Sequence, residues 1–159
     1  MTKKLFILLS IVALTVFAYA QIPDRPNPPR LVNDFASILS NEEANQMENS
    51  LLQFAQATST QIVVVSVPDL EGLAPSDFAF KIGEKWGVGQ KGKTNGLVVL
   101  VKPKQANSKG EIYIATGYGM EGVLPDGLLN GKVIEIEIIP YFKQNNYYAG
   151  LMSGLKVIM

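Results

Sequence analysis

The sequence predicts an α/β domain built on a small mixed sheet, and three observations carry that reading. Residues 61–67 (QIVVVSV) form a β-branched run of strand length without polar alternation, the pattern of a strand buried on both faces. A helical stretch separates this run from a second apolar one at 97–101, and a strand–helix–strand path of that kind is a right-handed parallel crossover. Residues 111–116 (EIYIAT) alternate in polarity after a polar connection at 102–110, so this third strand returns antiparallel to the second.

The N-terminus reads as an export signal. Lys3 and Lys4 precede the apolar stretch 5–20 (LFILLSIVALTVFAYA), which ends in an Ala-x-Ala cleavage pattern at Ala18-Tyr19-Ala20. Sixteen residues are short for a membrane-spanning helix, and no Cys follows that would make a lipoprotein. The expected mature chain therefore begins at Gln21. Of 159 residues, 14 are Lys or Arg and 14 are Asp or Glu. Removing Lys3 and Lys4 turns that balance into a net charge of −2. The expected product is an exported protein of the periplasm or cell envelope. Residues 21–30 carry four of the nine prolines and read as a semi-extended spacer. The domain proper is expected over 31–159, with Leu31-Val32 as a short edge strand or docked turn leading into Asn33-Asp34.

The helices follow from capping and spacing. Ser40 and Glu43 form a capping box. Ala44, Met47, Leu51, Phe54 and Thr58 then recur at helical spacing, which predicts a helix over 41–58. Pro68 ends the first strand. Pro75 opens a second helix over 75–86 with Phe78, Ile82 and Trp86 on one face and Gly87 as its C-cap. Residues 127–139 are ambiguous. Ile134-Glu135-Ile136-Glu137-Ile138 alternates like a strand, but the length and the set Leu128, Leu129, Val133, Ile136 and Ile139 favour a helix. A last helix over 146–159 has Tyr148, Leu151, Met152 and Leu155 as its apolar set. It stops at Met159 without a cap, which suggests a chain that continues.

Composition excludes several chemistries. There is no Cys and no His, so thiolate zinc sites, thiol nucleophiles and a Ser-His-Asp triad are out. Any metal site must be built from oxygens, which points to a hard cation such as Ca²⁺ or Mg²⁺. Balanced charge argues against a nucleic-acid partner. Gly87-Val88-Gly89-Gln90-Lys91-Gly92 fits G-x-G-x-x-G, but it follows a helix and precedes a strand. A dinucleotide site needs the reverse order. Its glycines are expected to serve a tight loop at positive φ. The acids with the best claim to a site are those in turns. Asp34, Glu121 and Asp126, with Asn95 beside a strand, are the candidate oxygen ligands for a cation; each also has a plain reading as a cap or turn residue, Asp126 as an N-cap. Lys91 and Lys93 are candidate contacts for an anionic ligand. Glu42, Glu43, Glu48, Glu135 and Glu137 read as caps or solvated positions, and Tyr118, Tyr141, Tyr147 and Tyr148 as core-edge or interface residues.

Taken in order, the motifs resemble the TPM domain family. The opening is Val32-Asn33-Asp34-Phe35-Ala36 with Ile38-Leu39-Ser40. The most specific stretch runs from Glu84-Lys85-Trp86-Gly87 through Asn95-Gly96. Residues 117–126 (GYGMEGVLPD) follow, then Ile138-Ile139-Pro140-Tyr141-Phe142 and Tyr148-Ala149-Gly150-Leu151. The resemblance implies a three-layer α/β/α sandwich with a mixed sheet of about four strands. It also implies relatives that are exported or membrane-anchored, some binding Ca²⁺ or a similar cation, and several continuing into a transmembrane segment. A plant thylakoid-lumen member is described as an acid phosphatase involved in photosystem II repair. Thr94 stands where the family usually has Asp, which implies weaker metal binding or none. Two functions follow as expectations. One is a monomeric, non-catalytic cation-binding or interaction module that helps maintain a membrane complex. The other is a metal-assisted phosphomonoesterase with Asp126 as the candidate catalytic carboxylate and the cation polarising the phosphoryl oxygen.

Overall fold

The computed structural model describes residues 21–89 and 95–159. The expected signal at 1–20 and the candidates Lys91, Lys93 and Thr94 lie outside the described residues. The elements run β1 (Val32–Asp34), α1 (Asn41–Thr58), β2 (Gln61–Ser66), α2 (Pro75–Trp86), β3 (Gly96–Lys102) and β4 (Glu111–Thr116). A 3₁₀ turn (Tyr118–Met120), a π-helix (Gly127–Ile138), a single α-turn, α3 (Ile139–Phe142), and α4 (Tyr147–Ile158) complete the chain.

The sheet order is β1-β2-β3-β4, with β1, β2 and β3 parallel and β4 antiparallel to β3. The mixed sheet expected from the sequence is therefore present. Consecutive residues Ile62 to Val65 and Leu97 to Val101 are all buried, which requires helices on both faces. α2 covers the face that carries Val98, because Gly83 lies directly over that side chain. The other layer holds α1, the π-helix and α4. Tyr148 of α4 donates to Gln46 of α1 at 2.9 Å, and Ser153 donates to Glu137 of the π-helix at 2.9 Å. The molecule is a three-layer α/β/α sandwich.

Local chemistry explains the element ends. The Ser40–Glu43 capping box forms in full. β1 is only three residues long and is held at the sheet edge by Glu48. Its carboxylate accepts from the backbone N–H of Leu31 at 3.0 Å and of Val32 at 2.7 Å. Glu48 thus sutures α1 to the sheet rather than standing on a solvated face. Asn146 caps α4 by accepting from Ala149 N–H.

Residues 127–138 and 21–30 also differ from the sequence expectation. The stretch 127–138 is helical, as favoured, but it winds as a π-helix, closing with Ile139 N–H on the carbonyl of Ile134. Its buried residues are Leu129, Val133, Ile134 and Ile138, spaced alternately four and five apart across successive turns. Leu128 and Ile136, expected inside at a 3.6-residue period, are exposed, Ile136 by 63%. The proline-rich segment is also not a free spacer. Ile22 and Pro23 lie on the C-terminal end of α2, where the Trp86 indole donates to Pro23 O at 2.9 Å and Arg25 donates to Trp86 O at 2.7 Å. Lys85 adds a hydrogen bond to Ile22 O and an ion pair with Asp24.

Candidate functional site

α2 is amphipathic in two directions. Phe78, Ala79, Ile82 and Trp86 are buried in the core. Ala79, Phe80, Gly83 and Glu84 make an adjacent stripe, two of whose members are too small to fill the space beneath them. Gly83 lies close over Val98, and a cavity of about 560 Å³ opens along this stripe. Val98 and Ala115 form its floor. Val88, Gly96, Thr116, Gly117, Tyr118 and Glu121 close the end where β3 begins and β4 finishes. Its walls are mainly apolar, and Glu84 and Glu121 are its charged lining residues among the described ones.

The neck of the cavity depends on close backbone approach. A Cβ on Gly96 would overlap the carbonyl of Val88, and Gly89 sits at φ +105°. Gln61 accepts from Gly89 N–H at 2.7 Å, and its own N–H donates to Asn95 O at 3.2 Å. The glycine motif accordingly follows a helix C-terminus and enters a strand, with Gly87 and Gly89 at positive φ. No helix N-terminus stands between Gly87 and β3 among the described residues, so the pyrophosphate cradle of a dinucleotide site is missing there.

The candidate ligands do not all meet. Glu121 lines the cavity. Asn95 stands at its neck, immediately before Gly96, with its amide donating to Ser59 O. Asp126 is one step away, behind Tyr113, whose ring lies 6.2 Å from that of Phe80. One Asp126 oxygen accepts from Tyr113 Oη at 2.9 Å and from Asn130 Nδ2 at 2.6 Å. Burial first, then the hydrogen bond and charge of Asp126, push the Tyr113 phenol up to about 12. Asp34 is at the opposite end of the sheet, since it pairs in register with Ser66 at the carboxyl ends of the parallel strands. Its two oxygens accept from Ile38 N–H at 3.0 Å and Leu39 N–H at 2.8 Å, and the Ser66 hydroxyl also donates to it. This carboxylate organises the turn after β1. Among the described residues no group of three or more acids comes together as a cation cage.

Glu84 and Phe80 line the cavity without standing out in the sequence. The available signal was the pair of small residues, Ala79 and Gly83, one position off the core stripe of α2. Small residues between helix and sheet leave room, and Glu84 and Phe80 flank it.

A family model described as the TPM domain matches residues 32–159. Among solved structures, the chain is similar to the N-terminal domain of a protein from P. gingivalis, at 35% identity and TM-score 0.71, over 81% of this chain and 79% of that one. It shares its fold with the N-terminal domain of the cg2496 protein from Corynebacterium glutamicum, at 14% identity and TM-score 0.60, over 87% of this chain and 82% of that one. No functionally curated protein matches the chain.

Proposed function

The chain belongs to the TPM domain family, and from that premise we propose that it is an exported cation-binding and interaction module of the cell envelope. The observation that carries this reading is the pair Glu84 and Glu121 at an otherwise apolar cavity. Neither carboxylate has a hydrogen bond or ion pair among the described residues. Two carboxylates suit a hard cation that keeps most of its water, as Mg²⁺ does; Ca²⁺ takes six to eight oxygens and would draw the remainder from backbone and solvent. Such a donor set implies weak affinity, on the order of 10⁻⁴–10⁻³ M, which is functional outside the cell. Without His or Cys in the sequence, the cavity has no imidazole or thiolate with which to activate a nucleophile. This favours binding over turnover.

The test is an NMR titration of the protein with Ca²⁺ and Mg²⁺, run beside an aryl-phosphate assay. Saturable millimolar shifts at residues 84, 95–96 and 117–121, lost in Glu121→Gln, are the expected result. Absence of any shift in that region would overturn the cation reading. Metal-dependent hydrolysis abolished by EDTA and by Asp126→Asn would favour the phosphomonoesterase reading instead.

A further inference from the structure

The cavity is much larger than a hydrated cation needs. Its volume of about 560 Å³ lies over an apolar floor of Val98 and Ala115. Two of its lining residues are themselves open to solvent. Phe80 is 46% exposed, and Tyr118, in the turn that closes the cavity, is 84% exposed. An exposed apolar surface rimmed by polar residues suits an interaction site or ligand groove.

We propose that this cavity seats a basic, apolar peptide segment of a partner protein, with its apolar side chain inside and an adjacent Arg or Lys between Glu84 and Glu121. The inference rests on reading the same cavity as an interaction site, and it adds the chemistry of the partner. Charge complementarity selects the occupant: among the described residues, two carboxylates without ion pairs line the cavity and no cationic side chain does. A guanidinium fits best, because it pairs with carboxylates in a planar fork and also stacks on an aromatic ring such as that of Tyr118. A small amine would satisfy the charges but leave Phe80 and the floor uncovered. A purely apolar peptide would cover the floor but leave both glutamates unanswered.

The test uses a capped synthetic peptide, Gly-Ser-Phe-Arg-Leu-Ser-Gly, and a control with Glu in place of Arg. Binding of the first is expected to shift amides at 79–88 and 115–121. The control should bind at least about tenfold more weakly, as should the double variant Glu84→Gln/Glu121→Gln, since each rim charge contributes up to a few-fold. Raising the salt concentration should weaken binding in the same direction. Gly83→Met places a side chain at the cavity wall and should abolish binding; a Cβ there stands at ordinary contact distance, 3.5 Å, from Val98 Cγ2, and thermal unfolding of the variant checks that the fold is kept. Phe80→Ala, at an exposed position, should weaken binding independently. Equal binding of the two peptides, or no shift at those amides, overturns the proposal. If Ca²⁺ shifts these amides and the Arg peptide does not, the peptide inference fails while the cation reading stands. If the peptide binds in EDTA and Ca²⁺ is silent, the cation reading fails and the peptide inference stands.

Discussion

Asn130 commits both ends of its amide to one residue of the sheet. Its Oδ1 accepts from Ile114 N–H at 2.8 Å and its Nδ2 donates to Ile114 O at 2.9 Å. β4 is an edge strand, so these backbone groups would otherwise be open to a foreign strand. Asn130→Ala leaves them unpaired, and about 2 kcal/mol of stability should be lost; urea unfolding with no change in midpoint would contradict this. The same amide holds Asp126 against Tyr113, which gives a pH signature. The Tyr113 phenol is pushed up to about 12, above the ordinary tyrosine value of about 10. The folded state therefore favours the neutral phenol. That contribution is complete below pH about 10 and is lost as pH rises through about 12. In an alkaline tyrosinate titration, Tyr113→Phe should remove the last phenol to ionise, and Asp126→Asn should bring its midpoint down. An unchanged highest midpoint in both variants would show that the cause lies elsewhere. Neither role was legible in the sequence, because an Asn and an Asp four apart in a helix look like any solvated pair until the strand edge is placed beside them.

At the scale of elements, the helices that cap conventionally were readable and the one that winds unusually was not. The capping box at Ser40 and the Pro75/Gly87 pair act within a few residues of themselves, so sequence carries them almost completely. The π-helix depends on tertiary contact. Ile134 and Ile138 turn inward against β4 and α4, and Gly150 and Gly154 make room on α4: a Cβ on Gly154 would meet Ile138 Cδ1 at 2.6 Å. A period inferred at 3.6 residues per turn cannot contain that choice. The strap at 22–25 is a similar case. Proline content forbids helix, but it says nothing about docking. The strap lies on Trp86, the sole tryptophan, and Arg25 satisfies a carbonyl at the C-terminal end of α2, where a cation also suits the helix dipole. Arg25→Ala should cost about 1–2 kcal/mol. Removing residues 21–25 should in addition shift Trp86 emission to the red as water reaches the indole. Emission and melting temperature both unchanged by the deletion would mean that the strap is not part of the folded unit.

For the whole molecule, the layer architecture was legible because burial on both faces of β2 and β3 is written directly in their uninterrupted apolar runs. The site was legible only in part, since the sequence identifies turn acids but not which ends of the sheet those turns occupy. β1 runs parallel to β2 and β3, which sends Asp34 to their carboxyl ends, whereas β4 reverses and brings Glu121 back to their amino ends, next to Gly96. A four-ligand convergence was thus never available to Asp34, whatever its spacing suggested. This separation predicts a double dissociation. Asp34→Ala removes the acceptor for Ile38 N–H, Leu39 N–H and the Ser66 hydroxyl, and should cost about 2–4 kcal/mol because those donors are part-buried. It should leave the Ca²⁺ and Mg²⁺ shifts around residue 121 intact. Glu121→Gln, at an exposed position, should change the melting temperature little and abolish the shifts. The measurements are thermal unfolding and cation titration on both variants. If Asp34→Ala eliminates cation binding at a temperature where the protein is still folded, then Asp34 is a ligand, and the assignment of cation binding to the opposite end of the sheet is wrong.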